Sequence, residues 1–214
     1  MRYTTVIFDL DGTLLNTLED IRDSVNHILE KYGFPPRSID EIRAFVGNGS
    51  GKLLERALPD GAATPGFDGI LAEYVDWYQQ HNAIKTAPYP GVVELLRALT
   101  AKEYKLAVVS NKPDDNVRAL VRQFFGAYVS VAIGERPGIA RKPSPDTVRA
   151  AMRELWSQPY ETVYVGDSEV DLKTAAAAGI DCVSVCWGFR SPEYLRSLGA
   201  KALAGSPGDV LKLV

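Results

Sequence analysis

Five residues near the amino terminus, Asp9-Leu10-Asp11-Gly12-Thr13, carry groups that could do chemistry together. They follow Thr4-Thr5-Val6-Ile7-Phe8, a β-branched and apolar run that reads as a buried strand. Residues two apart on an extended chain point the same way, so Asp9 and Asp11 can meet at the mouth of the strand. Gly12 permits a sharp turn there. Two adjacent carboxylates repel and need a cation or a shared proton to coexist. The pair therefore suggests a hard metal bound by oxygen, with one acid left to react. The plainer alternative is a strand-to-loop turn with solvated acids, since Asp and Gly are common turn residues.

Other reactive groups fall at the ends of other candidate strands. The strand Lys105 to Ser110 ends in Ser110-Asn111, and the strand Thr162 to Gly166 ends in Gly166-Asp167-Ser168, with Asp171 one helical turn further on. The strand Tyr128 to Gly134 is followed by a loop holding Lys142. Each residue alone has a plainer role. Ser110 could cap a helix, Lys142 could be a solvated lysine, and Asp167 and Asp171 could cap a helix and favour its dipole. Their coincidence with Asp9 and Asp11 at strand ends, where open parallel sheets bind ligands, carries the reading.

The set fits phosphoryl transfer, which needs cations and donors around the phosphate, an in-line nucleophile and a proton for the leaving oxygen. Asp9 suits the nucleophile, forming an aspartyl-phosphate. Asp11 suits the acid that protonates the leaving alkoxide and the base that later activates water. Asp167 with Asp9 would form a magnesium site. Ser110, the backbone at Asn111, and Lys142 would hold the phosphate.

The elements that position these groups follow from periodicity. Leu18, Ile21, Val25, Ile28, Leu29 and Tyr32 recur at helical spacing until Gly33, Pro35 and Pro36. Ser38 with Glu41 predicts a capping box on a short second helix. The run from Gly47 to Gly51 breaks that helix, Lys52 to Leu58 reads as another, and Ile70, Leu71, Tyr74, Val75 and Tyr78 mark one more. Residues 16–86 thus read as an all-helical insertion, and Ala87-Pro88-Tyr89-Pro90-Gly91 marks the return. Thereafter helices near Val92 to Lys102, Asp115 to Phe125, from Ser144-Pro145 with serine at the cap and proline in the first turn, and Glu169 to Ala178 alternate with strands, the last being Asp181 to Val185. The alternation predicts an α/β fold with a parallel sheet of about five strands, built from residues 1–15 and 87–214.

Composition narrows the classes. The 214 residues are 46% hydrophobic and 24% charged, ordinary for one sizeable core with a small appended domain. A net charge of -3 gives no electrostatic case for nucleic acid or an anionic membrane. No run approaches the roughly 18 apolar residues of a membrane span, and with the first strand entered almost at once a signal peptide is not expected. Cys182 and Cys186 share one candidate strand too far apart to bridge, which predicts buried free thiols in a reducing cytoplasm.

Asp9-Leu10-Asp11-Gly12-Thr13, Ser110-Asn111, Arg141-Lys142-Pro143 and Gly166-Asp167-Ser168-Glu169-Val170-Asp171 resemble the four ordered motifs of the haloacid dehalogenase-like hydrolase superfamily. Within it the chain is most similar to the phosphoglycolate phosphatase branch, and the likeness covers essentially all 214 residues. The resemblance implies a Rossmann-like core with the first strand central, a magnesium cofactor and a mobile helical cap. It adds Leu10 as a phosphate contact, Asp11 as a further metal ligand and Asp171 as a support behind the metal site. Asn16 departs from the acidic residue many relatives carry at this hinge, which bears on cap movement more than on chemistry.

The expected activity is hydrolysis of a small phosphorylated metabolite, with a phosphomutase, pyrophosphatase or nucleotidase of the same superfamily as alternatives. Asp11 argues against a dehalogenase, which has no alkoxide to protonate. A phosphonate-cleaving enzyme would want a Schiff-base lysine, for which Lys52 is a weak candidate. A receiver-like phospho-aspartate switch has no use for a cap, and a binding protein with an idle site would not need the intact acid set. Monomer and homodimer both stay open. The core motifs contain nothing that reads the rest of a substrate, so selectivity is expected from the cap. Gly49 in its glycine-rich segment, with Lys52 and Arg56 four apart on a helix, could meet a substrate anion; a solvated basic face is the alternative. Gly47 to Lys52 is not a nucleotide-binding loop, because the glycine that motif needs falls at Val46 and Leu53 follows the lysine. His27 and His81 fall in cap helices and are assigned no metal.

Overall fold

The computed structural model describes residues 3–214 and divides into two compact units. The first gathers the chain up to Leu15 with Pro88–Val214; the second is Asn16–Ala87.

The first strand, β1 (Thr5–Phe8), is buried along its whole length, as expected of a strand covered on both faces. The chain then passes through the short β2 (Leu15–Asn16) into α1 (Leu18–Lys31), α2 (Ile39–Phe45), α3 (Gly49–Ala57) and α4 (Phe67–His81), and returns through β3 (Ala87–Pro88). From there α5 (Val92–Ala101), β4 (Lys105–Pro113), α6 (Asp114–Phe125), β5 (Val131–Glu135), α7 (Asp146–Glu154), β6 (Thr162–Gly166), α8 (Glu169–Ala178) and β7 (Asp181–Val185) alternate. The chain closes with α9 (Pro192–Ser197), β8 (Ala202–Ala204) and α10 (Pro207–Leu213).

The main sheet has six strands in the order β5-β4-β1-β6-β7-β8, parallel throughout. From β1 the chain builds outward through β4 to β5, then returns to the other side of β1 through β6 and β7. The strand order therefore reverses at β1, and the crevice beyond its carboxyl end is the natural place for a ligand. Apolar residues of β1, β4, β5 and β6 pack with α7 and α8 in a core that includes Ile7, Val109, Ile133, Val148 and Tyr164.

Several boundaries differ from the sequence reading. β8 exceeds the expected five strands, because Ala-Leu-Ala is too short to show a period of its own. β4 runs on to Pro113 rather than stopping at Ser110, with its register against β5 shifting between Val109 and Pro113. β5 starts at Val131, three residues late. Ser144 does not cap α7; Pro145 is the capping residue, and the Ser144 N–H turns back to the Arg141 carbonyl. Cys182 and Cys186 are free, and each is half-buried rather than buried. No helix among the described residues is long and apolar enough to cross a membrane.

In the second unit the Ser38–Glu41 capping box forms on α2 as expected. α3 begins at Gly49, so Gly49 and Gly51 lie inside its first turn and not in a loop. Asp20, buried on α1, accepts the N–H groups of Ile84, Lys85 and Thr86 at 2.8–3.0 Å, which ties the start of the insertion to its end. His27 and His81 stack on the two faces of Trp77.

Candidate active site

The loop after β1 folds onto a single carbonyl. Leu10 O accepts the N–H groups of Thr13, Leu14 and Leu15, while the Leu10 side chain is fully buried. Gly12 sits at φ +84°, and a Cβ there would collide with the Asp167 carboxylate, so both conformation and space demand glycine.

Lys142 is the hub of the site. Its Nζ donates to Asp9 Oδ1 at 2.7 Å, Asp171 Oδ1 at 2.8 Å and the Tyr164 hydroxyl at 2.9 Å. Tyr164 in turn donates to Asp171 Oδ1 at 3.0 Å. Burial works against the charged ammonium of Lys142, but the Asp171 and Asp9 carboxylates outweigh it and hold its pKa above the ordinary value. Asn111 fixes the lysine's backbone: its Oδ1 accepts the Lys142 N–H at 2.7 Å and its Nδ2 donates to the Lys142 carbonyl at 2.9 Å.

Asp9, Asp167 and Asp171 each offer a carboxylate oxygen within 4.8 Å of the others, all buried, a set that can hold a metal ion. Burial raises the Asp9 pKa well above the ordinary value; Lys142 opposes this, and Asp171, Asp167 and Asp11 add to it. Burial, then the charge of Asp171, pushes Asp167 up to about 7. A divalent cation is the economical remedy for such a cluster. The three acids are not equivalent. Asp171 spends both oxygens on protein donors, Oδ1 on Lys142 and Tyr164 and Oδ2 on the N–H and hydroxyl of Ser168. Asp9 spends one on Lys142, and Asp167 accepts the Phe189 N–H at 2.6 Å and, more distantly, the Thr13 hydroxyl at 3.4 Å.

Asp11 stands apart from that cluster. Its Oδ1 lies 2.9 Å from Lys112 Nζ, and its Oδ2 accepts from Ser110 Oγ at 3.3 Å. Its carboxylate is a fifth exposed, more open than that of Asp9. The structure thus joins Asp9, Asp11, Ser110, Asn111, Lys142, Asp167 and Asp171 through short contacts at the strand ends. Gly49, Lys52 and Arg56 belong to the second unit. There Lys52 pairs with Glu55 at 2.6 Å, and Arg56 donates to the Phe45 carbonyl and Asn48 Oδ1, local ties that occupy both cations.

The sequence reading missed three contributors. Lys112 lies one residue past Asn111 and was hidden by ending the strand early. Tyr164 reads as an ordinary core aromatic. The turn Trp187-Gly188-Phe189-Arg190 follows β7; its Phe189 N–H holds Asp167, Trp187 Nε1 donates to the Thr13 carbonyl at 3.0 Å, and Arg190 pairs with Glu169. Applying the strand-end rule to β7 would have pointed to it.

The geometry has clear relatives. The model of the family "haloacid dehalogenase-like hydrolase" matches residues 6–185. A phosphoglycolate phosphatase of Pseudomonas putida KT2440 is 34% identical over 190 residues, 86% of this chain and 70% of that protein. A phosphoglycolate phosphatase of Rhodospirillum rubrum is 34% identical over 206 residues, 92% of this chain and 85% of its own. A crystal structure from Lactobacillus delbrueckii subsp. bulgaricus, provisionally called a phosphoglycolate phosphatase, superposes with a TM-score of 0.94 at 32% identity, covering 100% of this chain and 98% of that one.

Proposed function

The chain belongs to the haloacid dehalogenase-like hydrolase family, and from that premise we propose that it is a magnesium-dependent phosphatase of small phosphorylated metabolites, with phosphoglycolate the leading substrate. The observation that carries the reading is the Lys142 ammonium held between Asp9 and Asp171. It keeps a cation beside the nucleophile, where the incoming phosphate needs one.

In this reading Asp9 attacks phosphorus, an Asp9 oxygen–phosphorus bond forms, and the ester oxygen–phosphorus bond breaks. Asp11 gives its proton to the departing alkoxide. Water then attacks the aspartyl-phosphate, Asp11 takes the water's proton, and phosphate leaves with Asp9 restored. Ser110 Oγ, Lys142 Nζ and the main-chain N–H groups at Leu10 and Asn111 would hold the phosphate oxygens. Asp9 and Asp167 would hold magnesium, which when bound screens the charge between carboxylate and phosphate, while the Asp11 carboxylate, turned to Lys112 and Ser110, is left for proton transfer. Asp171, saturated by its own donors, supports the site by fixing Lys142. The helical unit would serve as a cap domain, and the proposed setting is the cytoplasm, in keeping with the free thiols of Cys182 and Cys186.

The test is phosphate release from phosphoglycolate and a panel of other phosphomonoesters. Release should require magnesium, stop with EDTA and return on adding the metal. No release from any ester, with magnesium present, would sink the reading.

A further inference from the structure

One further buried cation stands at the rim of the site, paired with Asp11. Lys112 follows Ser110 by two residues on β4, so the two side chains leave the strand on the same side. Its own N–H donates to Ser110 Oγ at 3.1 Å, in the stretch where the ladder to β5 shifts register. The side chain is 5% exposed, and its Nζ lies 2.9 Å from Asp11 Oδ1. A buried lysine is costly without an anion beside it, and Asp11 supplies one here. The other cations of the site lie on other acids: Lys142 on Asp9 and Asp171, Arg190 on Glu169; Lys112 alone sits on the acid that serves the leaving group.

Asp11 also marks where the leaving group must lie. A proton donor works within roughly 2.6–3.2 Å of the atom it protonates. With Asp11 Oδ1 as the donating oxygen, Lys112 Nζ is within about 6 Å of the bridging oxygen of a bound ester. In an ester of the form phosphate–O–CH2–carboxylate, ordinary bond lengths put the carboxylate oxygens roughly 3–4 Å from that bridging oxygen. A carboxylate one carbon beyond the bridging oxygen spans the remaining gap. An uncharged leaving group offers no anion at that distance.

We propose that Lys112 is a specificity-determining residue that binds a carboxylate carried on the leaving group, one carbon from the bridging oxygen. The inference rests on the phosphatase reading above and on Asp11 as its acid. It moves part of the selectivity from the helical unit to the end of a sheet strand. A strand end holds an ammonium with less freedom than a loop does, so little ordering is left to be done when the substrate binds.

The test compares kcat/KM for phosphoglycolate with that for ethyl phosphate, which replaces the carboxylate by a methyl group. The ratio of the two, taken on one preparation, cancels any change in folded fraction and any general damage to Asp11. The wild type should favour phosphoglycolate. Lys112→Met should reduce that ratio roughly 10- to 100-fold, the usual scale for losing a charged hydrogen bond. The change should fall mainly on KM for phosphoglycolate, and Lys112→Arg should restore much of the preference. An unchanged ratio, with both substrates slowed alike, would make Lys112 only a support for Asp11 and overturn the proposal while leaving the substrate reading intact. A wild type that does not discriminate between the two esters would overturn phosphoglycolate as the substrate, and this assignment with it. Release from neither ester would reject the phosphatase reading itself.

Discussion

Asn111 grips Lys142 by its main chain, accepting its N–H at 2.7 Å and donating to its carbonyl at 2.9 Å. Both residues are buried, and 31 positions separate them in the chain. The amide therefore sets where the lysine's backbone leaves the loop after β5, and so where Nζ arrives between Asp9 and Asp171. Asn111→Ala should leave two buried backbone groups without partners and misplace the ammonium. We expect kcat/KM to fall roughly 10- to 100-fold, in line with the cost of an unmade buried hydrogen bond. Inhibition by inorganic phosphate should weaken in parallel. Undiminished phosphate inhibition would show that Lys142 holds its place without the clamp.

Asp11→Asn separates the acid from the nucleophile. The amide fills the same space next to Lys112 and Ser110 but has no proton to give an alkoxide. Turnover of an alkyl phosphate should slow roughly 10²–10⁴-fold, the usual worth of general acid–base catalysis. The loss should be smaller for p-nitrophenyl phosphate, whose leaving group needs little protonation. Equal losses on the two substrates would remove Asp11 from the role of acid.

What the sequence made legible, and what it did not, divides along physical lines. Asp9, Asp11, Ser110, Asp167 and Lys142 were readable because strands show a short period and parallel sheets collect ligands at strand ends. The Ser38 capping box was readable because it is wholly local. Tyr164 was not, since nothing in a buried strand distinguishes an aromatic with a partnered hydroxyl from a packing residue. The side-chain role of Asn111 was hidden by its distance in sequence from Lys142. Lys112 failed for a correctable reason: alternation past Ser110 would have put it beside Asp11. Trp187 to Arg190 carries no periodicity, but the strand end at Val185 was legible, so this turn too was missed for a correctable reason.

Asp167 makes the acidic cluster testable without an assay. Its pKa in the fold, about 7, lies above the roughly 3.9 of an unfolded Asp. The folded state then binds the proton more tightly than the unfolded chain. Stability from this group is present at low pH and is lost as pH rises from about 4 to about 7. Asp9, also raised, acts in the same direction. Asp167→Asn removes the penalty, so in EDTA the variant should be more stable than wild type at pH 8. That advantage should shrink on the order of 1–3 kcal/mol by pH 5. Thermal melts at the two pH values read this directly, and adding magnesium at pH 8 should stabilise the wild type more than the variant. A gap that does not change with pH would mean Asp167 is not strained by its neighbours.

The central claim is that phosphorus passes through the Asp9 carboxylate, and the most direct measurement is to catch it there. Enzyme mixed with substrate and magnesium would be quenched in acid within a turnover, treated with borohydride and mapped by mass spectrometry. Borohydride reduces an acyl phosphate to the alcohol, so an aspartyl-phosphate at position 9 becomes homoserine. Homoserine is expected at position 9, dependent on substrate and absent at positions 11, 167 and 171. An unmodified Asp9 under conditions where turnover is confirmed, or the mark on another carboxylate, would contradict it.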